Sequence, residues 1–348
     1  MKKQLIAAAV AASMSAVALA DISITGDAKF EYDNTDISGS SYTPTNTSSN
    51  STATEYHLNV TGKSGDTTVV MKFELDTDGS GSMDLEDNYI KTKVGDVSVT
   101  AGNVASGTSG ILGEIDNGGR ERKVTLGYSV GGVDVYAGNS AGAASSADGN
   151  QNINNNMYAG VKFNVAGNAI ELKKNSETTD SYRIVGSMAG VNYRHEGKNV
   201  DGSTGGDATY TKVDTTIAGY TIGFAKLDAD RASLLTENDS GEFAQSIADK
   251  QTSTTHFMNG TTTATATGAA QWSLGTSIDG TSITLKSGKI VNGLSSSADM
   301  DFYQVQAKRK LSSGSTMVVT YNDRDYYADG TTTKGSLTNV EVELNVAF

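Results

Sequence analysis

The amino-acid sequence predicts an all-β chain: a transmembrane antiparallel up-and-down β-barrel of roughly 16–18 strands, the count favouring 18, with short periplasmic turns and long extracellular loops. Three observations carry that prediction. Runs of alternating apolar and polar residues recur from Asp21 to the C-terminus, where Val340-Glu341-Val342-Glu343-Leu344-Asn345-Val346-Ala347-Phe348 is the clearest, and side chains on a strand alternate between its two faces. Tight glycine-containing turns and long polar connections alternate between the runs, with every tight turn at the same end. Finally, one face of most runs is apolar and the other charged, which requires lipid on one side and water on the other.

Residues 1–20 read as a secretory signal peptide. Lys2 and Lys3 form a positive start, Leu5 to Val17 an apolar stretch, and Ala18-Leu19-Ala20 a cleavage site before Asp21. That stretch is too short, and lacks the flank, for a membrane-spanning helix. Cleavage after Ala20 leaves 21–348 as a single barrel domain. It also moves the formal net charge from −13 to −15, because the leader holds two lysines and no acids. A chain this acidic argues against nucleic acid as a partner, since phosphate neutralisation needs a lysine and arginine surplus. The chain has no cysteine, so neither disulfides nor thiolate metal sites are available, and stability must come from strand pairing and burial. A mean hydropathy of −0.33 excludes a helical membrane protein but not a barrel, whose lipid face uses only alternate residues.

Taken in order, the first run is Ile22–Tyr32. Thr54–Gly62 and Thr67–Leu75 then flank Ser64-Gly65-Asp66, Asp87–Val94 and Val97–Asn103 flank Gly95-Asp96, and Lys123–Val130 and Val133–Asn139 flank Gly131-Gly132. Met157–Val165 and Asn168–Lys174 flank Ala166-Gly167, Tyr182–Met188 and Val191–Glu196 flank Ala189-Gly190, and Thr209–Ile217 and Tyr220–Lys226 flank Ala218-Gly219. Ala270–Ile278 and Thr281–Ser287 flank Asp279-Gly280, Asp301–Leu311 and Thr316–Asn322 flank Ser312–Ser315, and Leu337–Phe348 is last. Turns of this composition favour two-stranded hairpins. Long connections are expected at 34–53, 78–86, 104–121, 140–156, 176–181, 197–208, 227–269, 288–300 and 323–336, all at the opposite end. A secreted β-solenoid would repeat at one fixed period with loops on any side.

Parity separates wall from lumen. Outward sets include Ile22/Ile24/Phe30/Tyr32, Val69/Met71/Phe73/Leu75, Val124/Leu126/Tyr128/Val130 and Trp272/Leu274/Ile278, with aromatics near strand ends where interfacial girdles form. Inward sets include Asp27/Lys29/Glu31, Lys72/Glu74, Lys91/Lys93, Glu171/Lys173, Arg183, Arg194/Glu196 and Lys212/Asp214. So many charges on one face line water rather than a dry core, and a barrel of this size is wide enough for a channel.

With these features the chain resembles the Gram-negative general porins. The opening strand Asp21-Ile22-Ser23-Ile24-Thr25-Gly26, the repeated hairpins and the terminal Phe348 carry the resemblance across the mature chain. It implies a passive diffusion channel for small hydrophilic solutes and ions in the outer membrane, in contact with outer-membrane lipid and assembled as a homotrimer. It also implies that Phe348 is an assembly signal read by the barrel-assembly machinery. The third long loop, 104–121, becomes the constriction loop by the same resemblance. Ile111, Leu112 and Ile115 would anchor it, Glu114 and Asp116 would face the passage, and Lys72, Lys91, Lys123 and Arg183 are the inward candidates opposite. The best-known members have 16 strands, so the count here suggests a larger relative.

One local motif stands apart. Asp76-Thr77-Asp78-Gly79-Ser80-Gly81-Ser82-Met83-Asp84-Leu85-Glu86-Asp87 places Asp76, Asp78, Ser80, Asp84 and Asp87 at calcium-loop positions around Gly81. Aspartate in place of the final glutamate, and strands in place of flanking helices, depart from that pattern. Calcium is therefore an optional ligand, and no cofactor is required. Acidic outer loops, including Asp230, Glu237, Asp239, Glu242 and Asp249, favour weak cation preference. His57, His195 and His256 lie in separate runs or loops and flank no nucleophile, so the sequence does not read as an enzyme. No run of inward aromatics marks a sugar track. The alternatives are a surface-exposed β-rich adhesin and a solute-specific channel. Deletion of Phe348 is expected to reduce membrane insertion, measured as the inserted fraction, more than it alters the conductance of channels that form.

Overall fold

The computed structural model describes residues 21–39, 47–76, 83–105, 120–141, 156–175, 179–202, 205–231, 266–292, 299–312, 314–327 and 333–348. In chain order the strands are β1 (Asp21–Gly39), β2 (Thr47–Ser64), β3 (Thr67–Asp76), β4 (Met83–Val94), β5 (Val97–Ala105) and β6 (Arg120–Val130). Next come β7 (Val133–Ala141), β8 (Asn156–Val165), β9 (Asn168–Asn175), β10 (Thr179–Met188), β11 (Val191–Val200) and β12 (Gly206–Ile217). The last six are β13 (Tyr220–Ala229), β14 (Ala266–Ile278), β15 (Thr281–Asn292), β16 (Asp299–Ser312), β17 (Ser315–Tyr327) and β18 (Thr333–Ala347). Each pairs with its sequence neighbours, and β18 also pairs antiparallel with β1, so the 18-stranded sheet closes on itself. Closure leaves no open edge, the condition for placing a sheet in hydrocarbon.

The seam is finished by the last residue. Gly26 N–H donates to the Phe348 carbonyl at 2.9 Å and Phe348 N–H to the Gly26 carbonyl at 2.8 Å. The Phe348 ring lies over Gly26, where a side-chain carbon would come within 2.6 Å of the ring and of the His57 carbonyl. Rings over directly opposed glycines recur. Tyr136 faces Gly160 and Tyr158 faces Gly138 across β7–β8, while Tyr182 faces Gly197 and Tyr193 faces Gly186 across β10–β11. Each ring fills the space its partner lacks and pins the register by a cross-strand contact.

The tight turns have the handedness hairpins need. Both residues of Ala166-Gly167, Ala189-Gly190, Ala218-Gly219 and Asp279-Gly280 have positive φ, between 48° and 82°, the type I′ geometry whose twist matches that of the strands.

The first outer connection is shorter than the sequence predicts. Apolar alternation stops near Tyr32, but the ladder continues from Asp33↔Ser51 to Ile37↔Thr47 and, on the other edge, from Asp33↔Glu341 to Gly39↔Gly335. Above the lipid band both faces meet water, so no side-chain pattern marks the strand. Backbone pairing and polar contacts sustain it: Asn34 Nδ2 donates to Asn50 Oδ1 at 2.5 Å, and the Ser38 and Ser336 hydroxyls lie 2.7 Å apart. In β4 a bulge also changes parity. Met71 pairs with Asn88 but Phe73 with Leu85, which puts one extra residue into β4 at that point, and both Leu85 and Ile90 are exposed.

Outward residues form an exposed apolar belt that includes Ile24 (63% exposed), Leu126, Met188 and Trp272 (62%), with Phe224 and Trp272 rings 4.6 Å apart. A water-soluble monomer does not present such a belt; lipid tails cover it. His195 lies on this outer face, its Nε2 2.9 Å from the Tyr182 hydroxyl and its Nδ1 2.8 Å from that of Thr211. No helix among the described residues is long and apolar enough to cross a membrane.

Alanine at a left-handed position is disfavoured by about 1 kcal/mol, whereas asparagine tolerates it. Replacing Ala166, Ala189 or Ala218 by Asn is therefore expected to stabilise the barrel by about that amount each, read from the urea unfolding midpoint in detergent.

Candidate pore lumen

Register carries the inward face from strand to strand, and the charges on it are not evenly mixed. One wall, formed by β18, β1, β2 and β3, presents Glu341, Glu343, Asp27, Glu31, Asp33, Glu55 and Glu74, with Lys29 and Lys72 among them. The wall from β8 to β12 presents Lys162, Lys173, Arg183, Arg194, Lys198 and Lys212 against Glu171, Glu196 and Asp214. In the ring of strands β10 is half a turn from β1, so an acidic wall faces a basic one across the lumen.

Local contacts hold the basic wall in place. The Glu171 carboxylate is almost fully buried and is met by Arg183 at 3.0 Å, Lys162 at 3.4 Å and the Tyr136 hydroxyl at 2.7 Å. Burying a carboxylate costs several kcal/mol unless it is paired in this way. Glu196 is fully buried and accepts from Arg194 Nε at 2.6 Å. Aromatic faces carry the cations: Lys162 Nζ lies 5.4 Å from the Tyr136 ring centre, Lys173 Nζ 5.2 Å from that of Tyr158, and the Arg194 guanidinium 5.6 Å from that of Tyr210. On the acidic wall Lys29 bridges Glu55 at 2.9 Å and Glu31 at 3.3 Å.

The four basic residues proposed from sequence for the eyelet all lie on inward faces but on separate strands: Lys72 on β3, Lys91 on β4, Lys123 on β6 and Arg183 on β10. Only Arg183 belongs to the wall opposite β1. Glu114 and Asp116 lie outside the described residues. Of the calcium-type positions, Asp78 and Ser80 also lie outside them, Asp76 ends β3, and Asp84 and Asp87 fall within β4. The sequence shows no run of inward aromatics, but the structure brings one inward pair together. Tyr136 and Tyr158 both point inward with ring centres 6.3 Å apart, and a signal for them was present, since each opens the same Tyr-Ala-Gly triplet.

No protein-family profile matches the chain and no curated sequence relative matches it. Among solved structures it is similar to OpdL of Pseudomonas aeruginosa, with a TM-score of 0.64 at 8% identity over 94% of this chain and 99% of that one. It is also similar to OccK2 (OpdF) of the same organism, with a TM-score of 0.64 at 10% identity over 94% and 98%. OpdK, an outer membrane protein of that organism, gives a TM-score of 0.58 at 10% identity over 94% and 99%. OccK2 has been solved in complex with glucuronate and OpdK with vanillate. At such identities the likeness is one of fold.

Glu171→Gln removes one negative charge from beside Lys162 and Arg183 on the basic wall. In planar bilayers under a KCl gradient, the reversal potential is expected to move toward anion preference relative to the wild type. Arg183→Gln is expected to move it the opposite way. The chain has the fold of Gram-negative outer-membrane barrels.

Proposed function

We propose that the chain is a passive channel through which small hydrophilic solutes and ions cross the outer membrane. The observation that supports this reading best is the opposed charging of the inner walls, because walls with an excess of one sign of charge are stable only in water. Eighteen strands exceed the number, about 16, at which barrels leave an aqueous passage. A field directed from the β8–β12 wall to the β18–β3 wall orients dipolar solutes as they pass. The constriction role of 104–121, homotrimeric assembly and weak cation preference belong to this same reading, and enzymatic activity does not.

A solute-specific channel is the second reading, favoured by the Tyr136/Tyr158 pair with Lys162 and Lys173 over its rings. Such a track suits a solute with a ring or sugar face and a carboxylate. The solutes bound in the OccK2 and OpdK structures, glucuronate and vanillate, have that chemistry.

Proteoliposomes carrying the purified chain are expected to swell in isosmotic solutions of small sugars and of glucuronate. The absence of any solute flux would favour an adhesin or structural role. If the second reading holds, the double change Lys162→Gln/Lys173→Gln lowers glucuronate flux by roughly three- to fivefold, the effect of an exposed contact worth up to about 1 kcal/mol, and leaves neutral sugar flux unchanged.

A further inference from the structure

Three directly opposed inward residues form one row across the acidic wall. His57 on β2 pairs in register with Asp27 on β1 and with Glu74 on β3, and Glu55 stands two residues from His57 on the same face. The His57 Nδ1 lies 3.0 Å from Asp27 Oδ2, and its Nε2 lies 2.6 Å from Glu55 Oε1. Ligating atoms of Glu55, His57 and Glu74 all fall within 4.8 Å of one another.

The chemistry of this row differs from that of His195, whose ring nitrogens meet two hydroxyls that can each donate or accept. Both nitrogens of His57 meet carboxylates, which only accept when ionised, whereas a neutral imidazole has one N–H to give. With Nδ1–H donating to Asp27, the Nε2 lone pair faces the Glu55 oxygen, and a positive centre is needed between them. A metal ion can supply one, because ligating atoms of all three groups converge there. The Asp27–His57 contact is then the carboxylate–histidine pair that orients a metal-bound imidazole. Lys29 engages Glu55 through Oε2 and Glu31, so it leaves Oε1 to the site.

We propose that Glu55, His57 and Glu74 bind a first-row divalent transition-metal ion of the Zn2+ class in the lumen wall, with Asp27 as the residue that positions His57. One imidazole and two carboxylates suit such ions, whereas Ca2+ and Mg2+ prefer oxygen ligands alone. The remaining coordination positions open to lumen water, since Glu55 and His57 are each about one-fifth exposed. A bound dication offsets charge on the acidic wall and weakens the field across the lumen; this consequence, unlike the site itself, rests on the channel reading.

The test is calorimetric titration of ZnCl2 and MgCl2 into the chelator-treated full chain in detergent, with strand content checked by circular dichroism. The expected result is one Zn2+ per barrel, bound far more tightly than Mg2+, with affinity reduced about tenfold or more in His57→Gln and Glu74→Gln and about tenfold in Asp27→Asn. Zinc-edge X-ray absorption of the wild type, which requires no variant, is expected to show imidazole scattering. Zn2+ uptake unchanged by His57→Gln, or a wild-type spectrum without imidazole, would overturn the site. Zn2+ bound at His57 in a chain that inserts into bilayers without giving any current would uphold the site and count against the channel reading alone.

Discussion

Every peptide N–H and C=O in a membrane has to find its partner within the protein, and in this chain the β1–β18 pairing is where that requirement is met or lost. Each hairpin satisfies its own inner edge, but only the pairing of the first strand with the last removes the two edges left over. The ladder runs from Gly39↔Gly335 down to Asp27↔Ala347 and is completed by the paired bonds of Gly26 with Phe348. A terminal ring seated where no side-chain carbon fits makes that last step specific to this register.

Closure fixes which face is which. A slip of one residue would send Glu341 and Glu343 into lipid and Val340 and Val342 into the lumen, so lipid and water together enforce the register. The same constraint concentrates charge inside. Alternate residues of the eighteen strands point inward, and their sorting into an acidic arc around β1 and a basic arc around β10 gives the interior one negative side and one positive side. Structural and functional roles overlap there. Glu171 is buried because two cations and a tyrosine hydroxyl surround it, and in the proposed channel those same groups form the surface a solute would meet.

Much of this was legible in the sequence, because alternation and turn chemistry are local. Eighteen runs, their glycine turns and the inward parity of Lys72, Lys91, Lys123 and Arg183 all follow from residues within a few positions of one another. What escaped was non-local or lacked an apolar signal. The outer halves of β1 and β2 are strands without a greasy face, so Asp33–Gly39 and Thr47–Ala53 read as loop. Tyr136 and Gly160 fit each other only once β7 and β8 are aligned, although the repeated Tyr-Ala-Gly triplet hinted at a shared role. Asp27, His57 and Glu74 come from three strands and become neighbours through register alone. The β4 bulge, a single inserted residue, left no mark in a segment whose acids suggested a calcium loop instead.

The account stands on an open, water-filled passage inside a closed barrel, and single-channel recording tests that most directly. Purified chain added to a planar bilayer in KCl should give discrete current steps with a linear dependence on voltage, of a size expected for an aqueous pore. Insertion into the bilayer without current steps above the bare-membrane level would contradict it.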